Sequence, residues 1–205
     1  MTTTQHKRGV LELYEIDTLG APFKVTLRNC VSLSVDRETG EEKINLPDVV
    51  GLISAVVRAR VSHSRKLNGK EIRFVRNALR LKANQIAKFL DMSPEHFSRC
   101  EKGTKIMAIP SEKWFRLFAY VATYFPDPED LLVKIIDGRS KLNAPDLDKS
   151  VKNPDSVAKK FVEQFLLMKI ESVFDASKEL NFEFWRGPVD QENDEEWETK
   201  ELAVA

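Results

Sequence analysis

The chain of 205 residues is 42% apolar, enough for a folded core, and its 32 basic and 32 acidic residues give a formal net charge of +0, a balance that by itself argues against a nucleic-acid binder. No run approaches the roughly 18 apolar residues of a membrane span and no apolar segment follows the first charges, so we expect a cytoplasmic protein without membrane contact. Cys30 and Cys100 lie far apart without a CxxC pair, which excludes a disulfide framework and a four-ligand zinc site; we expect two buried thiols, no metal and no cofactor.

The N-terminal third of the chain alternates apolar and polar residues, a pattern that predicts strands. The segments are "LELYEI", "FKVTLRNCVSLSV" and "EKINL", and the Gly-containing "DRETGEE" suits a hairpin turn between the last two. We predict a small antiparallel sheet over about residues 10 to 46. Pro47 and Asp48 then open the apolar helix "VVGLISAVVRARV", which completes a predicted domain of residues 1–66.

Residues 67–126 are predicted to form a domain of short helices. "GKEIRFVRNALRL" has its apolar residues on one helical face, "ANQIAKFL" is a helix of about two turns, and "DMS" is a tight turn. The next helix, "SPEHFSRCEKG", has Ser93 as N-cap and Pro94 at its first position, and it stops at Gly103. "SEKWFRLFAYVATYF" follows as a further helix. Short helices joined in this way are typical of a helix-turn-helix unit.

The rest of the chain is predicted to be mostly helical over residues 127–187, from "DPEDLLVKIID" and "DSVAKKFVEQFLLMKIESVFDASKEL", with "NFEFWRG" as a terminal strand. The acidic tail of residues 188–205 is predicted to be disordered. The expected fold class is therefore mainly α, with a small N-terminal β-containing domain and a helix-turn-helix core of four or five helices.

Charge is segregated along the chain although its sum is zero. Between Arg58 and Lys105 there are 13 Lys or Arg against four acids, a local net charge of +9, whereas Val189 to Ala205 holds seven acids and one Lys, a net charge of −6. Such asymmetry indicates a module that faces a polyanion, although a charge block is also compatible with an ordinary solvated face.

The turn between the second and third of these helices has the residues that a helix-turn-helix needs. Ala87 is small where the two helices would pack closest, Asp91 tolerates a positive φ, and Met92 and Phe97 would fill the crevice between the helices. The stretch "GKEIRFVRNALRLKANQIAKFLDMSPEHFSRCEKG" resembles the Cro/cI-type (Xre) helix-turn-helix. It is similar in particular to the version in MqsA/YgiT-type antitoxins, whose N-terminal zinc cysteines are absent here.

This resemblance implies that the helix over residues 93–102 lies in the DNA major groove and reads bases through Glu95, His96 and Arg99. Arg99 matches the family's "SR" and would hydrogen-bond guanine or a phosphate. Glu95 has two interpretations: it accepts from a cytosine amino group, or it only favours the helix N-terminus. Contacts to the DNA backbone are expected from the surrounding polar residues, which are Lys82, Asn84, Gln85, Lys88, Ser98, Lys102, Arg73 and Arg76.

The function expected from these features is sequence-specific binding of double-stranded DNA by a transcriptional regulator. A repressor that binds a palindromic operator as a homodimer, associated in function with the bacterial nucleoid, fits a single reading helix. The aromatic stripe from Trp114 to Phe125 is expected to be core or a dimer interface. The alternative is an antitoxin-like or accessory protein whose flanking regions bind a toxin or other partner protein. His6, His63 and His96 are scattered and no catalytic motif occurs, so no catalytic residue and no enzyme activity are predicted.

Overall fold

The computed structural model of the protein describes residues 9–36, 39–137, 168–171, 179–186 and 197–201. These residues belong to two compact units, unit 1 within residues 1–55 and 178–205 and unit 2 within residues 56–177. The strands are β1 (Gly9–Glu15), β2 (Lys24–Val35), β3 (Glu42–Asn45), β4 (Asn181–Arg186) and β5 (Trp197–Glu201). The helices are α1 (Val49–Ser62), α2 (Gly69–Ala78), α3 (Ala83–Phe89), α4 (Pro94–Glu101), α5 (Ile109–Ala122) and α6 (Pro128–Ile136).

Unit 1 contains one mixed sheet centred on β2. β1 pairs antiparallel with one edge of β2, while β3 (antiparallel) and β4 (parallel) pair with opposite ends of its other edge, and β5 pairs antiparallel with β4. The register of β1 against β2 shifts between Leu11 and Leu13, and on β2 Asn29 has a φ of 52° at this irregularity. Asn is one of the few non-glycine residues that tolerate this left-handed conformation, so it accommodates the extra residue of a bulge.

The predicted fold class, a mainly α protein with only a small N-terminal β-containing part, is wrong. The described residues form a mixed α/β structure with six helices and a five-stranded mixed sheet. The three N-terminal strands and the strand "NFEFWRG" are confirmed, but alternation within a segment does not tell which distant strand it pairs with. β4 joins β2 across about 155 residues of chain, and β5 lies within the stretch predicted to be a disordered tail.

One face of this sheet is apolar and holds the core of unit 1. Val25 pairs with Phe182 and Leu27 with Phe184. Paired residues point to the same side of a sheet, so these four side chains share one face, and all four are buried. Trp197 of β5 is also buried, and its indole Nε1 donates to the main-chain oxygen of Asp48 at 3.3 Å. Burial of this one aromatic side chain gives a structural reason for order at Trp197–Glu201 within an acidic sequence.

The opposite face of the sheet carries a buried carboxylate, that of Glu183. Arg28 donates to it twice, from Nε at 2.7 Å and from Nη2 at 2.9 Å, and Lys200 Nζ lies 3.1 Å from Oε1. The hydrogen bonds from Arg28, followed by those from Lys200, lower the pKa of Glu183 from its usual 4.5 to about 2. The carboxylate therefore remains ionised well into the acid range.

This low pKa predicts an acid-sensitive component of the stability of unit 1. Folding lowers the pKa of Glu183, so the ionised carboxylate stabilises the folded state. This stabilisation is complete above about pH 4.5 and is lost as the pH falls towards 2. Glu183→Gln should destabilise unit 1 at pH 7, and its difference from wild type should shrink below pH 4.5. Thermal unfolding followed by fluorescence of Trp185 and Trp197, in a Trp114→Phe background, measures this.

The matched control is Glu15→Gln, which removes an exposed carboxylate paired with Lys24 at 3.1 Å in the same sheet. It should leave the pH profile close to that of wild type. A Glu183→Gln deficit that stays constant down to pH 2.5 would show that the carboxylate is not the titrating group.

Unit 2 holds six buried charged side chains in one network: Arg60, Arg65, Lys66, Glu71, Glu112 and Arg116. The first half of the network is built on Glu71, which accepts hydrogen bonds from Arg60 Nε and Nη2 at 2.8 Å each. Glu71 also accepts from the backbone N–H of Asn68 at 2.7 Å, while Asn68 accepts from the N–H of Glu71 at 2.9 Å. This reciprocal pair is a capping box, so one carboxylate both starts α2 and neutralises a buried arginine.

Glu112 organises the second half of the network. It accepts from Arg116 Nη2 at 2.7 Å, from Lys66 Nζ at 2.8 Å and from the backbone N–H of Leu67 at 2.8 Å. Arg116 also donates to the main-chain oxygens of Val61 at 3.0 Å and of Arg65 at 2.6 Å. Burial lowers the pKa of Arg116, and Glu112 opposes that shift. These bonds fix α5 to the end of α1 and to the segment that leads into α2.

None of the described helices is both long enough and apolar enough to cross a bilayer. Within the same part of the chain, no cluster of three or more His, Cys, Asp or Glu side chains could hold a metal ion. The helix predicted over residues 155–180 falls largely outside the described residues.

Candidate nucleic-acid interface

The connection between α3 and α4 has the geometry that the sequence predicts. Asp91 has a φ of 52°, as expected for the turn, and the N–H of Met92 donates to the main-chain oxygen of Ala87 at 3.0 Å. Ala87 and Phe97 are fully buried, and Met92 is half-buried. The small alanine thus lets the turn close against α3, while the buried ring of Phe97 lies with its centroid 6.5 Å from that of Phe115 in α5.

The two faces of α4 are clearly distinct. Phe97, Cys100 and Glu101 are buried, whereas Glu95, Arg99 and Lys102 are exposed and His96 and Ser98 are half-buried. Ser93 is the N-cap of the helix, and its hydroxyl oxygen accepts from the N–H of His96 at 3.2 Å. It ends before Gly103, whose φ of 73° is the left-handed conformation of a helix C-terminus. The predicted base-reading residues therefore share the first two turns and the solvent-facing side of one well-capped helix.

Glu95 is ionised and bound to the start of its own helix. The pKa of Glu95 lies below its usual value because of hydrogen bonds from its own backbone N–H and from the Ser93 hydroxyl, with a further contribution from the Arg99 charge. This arrangement supports the interpretation in which Glu95 stabilises the helix N-terminus. Its exposed carboxylate can still accept a hydrogen bond from a base.

Arg76 lies beneath α4 and is not part of the exposed surface. Its Nε donates to Glu101 Oε1 at 2.7 Å, and its Nη1 donates to the main-chain oxygen of Leu81 at 2.8 Å. The Arg76 side chain is 16% exposed and that of Glu101 is 7% exposed. The sequence predicted a phosphate contact for Arg76, but the structure places it between α2, α4 and the segment before α3.

The carboxylate of Glu129 in α6 contacts the side chains at the start of α3. Gln85 Oε1 accepts from the N–H of Lys82 at 2.9 Å, and Gln85 Nε2 donates to Glu129 of α6 at 2.8 Å. Lys82 Nζ lies 3.6 Å from the same Glu129 carboxylate. Two predicted backbone-contacting residues are thus engaged within the protein. No local pattern indicates these contacts, because Glu129 is 44 residues away from Gln85.

The remaining predicted backbone-contacting residues differ in position. Arg73, Asn84, Lys88 and Lys102 are exposed. Arg73 belongs to α2, Asn84 and Lys88 to α3, and Lys102 caps the end of α4. Lys105 is also exposed, just beyond α4, although it was not among the residues singled out from the sequence. The cationic and amide groups of these side chains therefore lie on the surface of unit 2, which also contains α4.

The two cysteines differ in burial. Cys100 is buried, as predicted, whereas Cys30 is only half-buried. Burial raises the pKa of both thiols. A raised pKa leaves less thiolate at neutral pH, so neither environment is that of an activated nucleophile.

The chain was compared with protein-family models, with curated protein sequences and with solved structures, and none of them matches it.

Proposed function

We propose that the protein is a sequence-specific DNA-binding regulator of the Cro/cI type, which places α4 in the major groove of double-stranded DNA. The observation that carries this proposal is the division of α4 into a buried face and an exposed face with Glu95 and Arg99. Recognition helices of helix-turn-helix proteins present their N-terminal residues to base edges in this way. Arg99 offers a guanidinium that matches two acceptors of guanine, and Glu95 offers an acceptor for cytosine.

Burial changes the charge count only slightly, and the surface remains basic. Of the 13 basic residues between Arg58 and Lys105, Arg60, Arg65 and Lys66 are buried, and of the four acids Glu71 and Glu101 are buried. Arg76 is paired with Glu101 beneath α4 and does not belong to the exposed surface either. Nine cations and two acids are left, so the net charge of the remaining residues is +7. Exposed Lys and Arg of this density support a sequence-independent attraction to phosphate that weakens with salt.

Arg76 and Gln85 have a different role in this proposal from the one expected from the sequence. Arg76 holds α4 through Glu101, and Gln85 holds the start of α3 to α6. We assign both as positioning residues. Phosphate contacts are assigned to the exposed Lys88, Lys102 and Arg73.

Replacing Arg99 by alanine should weaken binding to the selected site by about 5- to 150-fold, since a bidentate contact to guanine contributes roughly 1 to 3 kcal/mol of discrimination. The site is first selected from random duplexes with the whole chain, and affinities are then measured by gel shift at physiological salt. Binding should also become less selective at the base pair that Arg99 reads.

Lys102→Ala is the matched control within the same helix. It should weaken binding to all sequences alike and reduce the slope of log affinity against log salt by about 1. The assignment of α4 as the reading helix would be wrong if both Arg99→Ala and Glu95→Ala bound the selected site as tightly as wild type.

A single reading helix covers half of a palindromic operator, so we propose a repressor that binds as a homodimer. Two chains on a full palindromic duplex and one on a half-site duplex, counted by light scattering, are the expected stoichiometries. One chain on the full palindrome would contradict the dimer.

The second candidate function is that of an antitoxin-like or accessory protein that holds a partner protein. It is favoured by large apolar side chains exposed near the start of α5, with Ile106 70%, Trp114 60% and Ile109 39% exposed. We propose that these side chains together form the contact site, because a contiguous exposed apolar patch marks a site of protein contact. Co-expression with the neighbouring gene and purification in high salt should give a stoichiometric complex that Trp114→Ser disrupts. Recovery of homodimers alone would rule out a partner encoded there.

A further inference from the structure

The end of α2 is a Schellman motif, and its left-handed residue is Arg80. The N–H of Leu81 donates to the main-chain oxygen of Arg76 at 3.1 Å, and the N–H of Arg80 donates to that of Asn77 at 2.9 Å. These two bonds define the motif and require a left-handed residue just after the helix. Arg80 accordingly has a φ of 57°. The way the helix ends therefore fixes the backbone conformation of this arginine.

Arginine is an unusual residue in this conformation. Glycine is the usual residue at this position and asparagine the next, because a Cβ atom crowds the backbone at positive φ. The other non-glycine residues with a positive φ in the described part of the chain are Asn29, Asp48 and Asp91, which are of the types that tolerate it. Arg80 thus carries a conformational cost that glycine would not. Strained residues of this kind cluster at functional sites.

The charge of Arg80 is also available to a ligand. Arg80 is exposed between the buried Leu79 and Leu81, in the connection that leads into α3. Among the described residues, its side chain has no ion pair or hydrogen bond. Lys82, the other cation of this connection, lies 3.6 Å from the carboxylate of Glu129. A phosphate that approaches the start of α3 would therefore meet the guanidinium of Arg80 without displacing a described carboxylate.

We propose that Arg80 binds a phosphate of the DNA backbone. This inference rests on the proposed function, because a helix-turn-helix that places α4 in the major groove makes the preceding helix, α3, cross the sugar–phosphate backbone. Arg80 lies at the entry to α3, and a guanidinium donates two hydrogen bonds to phosphate oxygens. The strained conformation is retained because it keeps a cation beside the backbone that α3 crosses. The contact is independent of base sequence.

Replacing Arg80 by glycine should change stability and DNA binding in opposite directions. Glycine removes the strain, so the thermal unfolding midpoint of unit 2, followed by circular dichroism at 222 nm, should rise by at least about 2 °C. Loss of one phosphate contact should reduce the slope of log affinity against log salt by about 1 and weaken binding at physiological salt by roughly fivefold. Gel shifts of the whole chain with selected and unrelated duplexes should show the same loss for both.

Two further variants separate the charge from the flexibility of the chain. Arg80→Asn keeps a side chain that tolerates positive φ, and it should lose as much DNA affinity as Arg80→Gly does. Arg80→Lys keeps both the cation and the strain, so its unfolding midpoint and its salt slope should stay close to those of wild type.

Wild-type affinity and salt slope in both Arg80→Gly and Arg80→Asn would overturn the inference and leave the proposed function in place. A lower unfolding midpoint of Arg80→Gly would also overturn it, because Arg80 would then support the fold. A wild-type chain that selects no duplex would contradict the proposed function itself, and this contact with it.

Discussion

Replacing Glu112 by glutamine is expected to lower the free energy of unfolding of unit 2 by about 3 to 5 kcal/mol, the range for removing one partner of a buried ion pair. The glutamine keeps the shape of the side chain but removes the charge that faces Arg116 at 2.7 Å and Lys66 at 2.8 Å. Both cations are almost completely buried, so water cannot replace the lost carboxylate. Urea unfolding followed by circular dichroism at 222 nm measures the change, since unit 2 contains most of the described helices.

A second substitution separates loss of charge balance from general damage to α5. In the Glu112→Gln background, Lys66→Met removes one of the uncompensated cations and should recover part of the lost stability. Glu95→Gln, which removes an exposed carboxylate in the first turn of α4, is the control and should cost at most about 1 kcal/mol, the contribution of a charge at an exposed helix N-terminus. A Glu112→Gln protein as stable as this control would mean that the network does not hold unit 2 together.

The local features of this fold could be predicted from the sequence because they depend on neighbouring residues. Alternation located β1, β2, β3 and β4, and the cap at Ser93 located the start of α4. The fold class could not be predicted, because β2 and β4 pair in parallel although they are far apart in sequence. The apolar face that they share forms only when the two strands pair, as Val25 does with Phe182. The sequence of neither strand shows that the other is its partner.

The candidate site divides in the same way. The exposed positions of Glu95 and Arg99 follow from helical periodicity, and the positive φ of Asp91 follows from the turn. The role of Arg76 does not, because an arginine on the polar side of a helix is normally expected to be solvated, and its partner Glu101 lies 25 residues further along. The same applies to Lys66 and Glu112, two charges that local pattern assigns to the surface and that the structure buries together.

Replacing Gly69 by alanine is the second large effect expected, with a loss of about 3 kcal/mol in the free energy of unfolding of unit 2. A Cβ atom at this position would lie 2.6 Å from the carbonyl oxygens of both Cys100 and Glu101 and 2.7 Å from the backbone nitrogen of Gly103. These are main-chain atoms, which cannot rotate away as a side chain can, so the loss falls at the upper end of the 1 to 3 kcal/mol range for overpacking. Intrinsic helix propensity favours alanine over glycine by at most about 1 kcal/mol, and the clash therefore decides the sign.

The clash also decides where the damage from Gly69→Ala should be seen. Because the first turn of α2 presses on the last turn of α4, the end of α4 must move outward, and Arg76 must then stretch or lose its bond to Glu101 at 2.7 Å. Amide-proton shifts should change most at Cys100, Glu101 and Gly103. The proposed DNA binding should weaken at every sequence, since the whole helix is displaced. The control for α2 is Lys70→Ala, which replaces the exposed neighbour in the same turn. It should change neither the amide-proton shifts at the end of α4 nor the proposed DNA binding. If Gly69→Ala were as stable as Lys70→Ala and showed the same amide shifts, the close packing of α2 on α4 would be wrong, because no side-chain movement relieves a contact between backbone atoms.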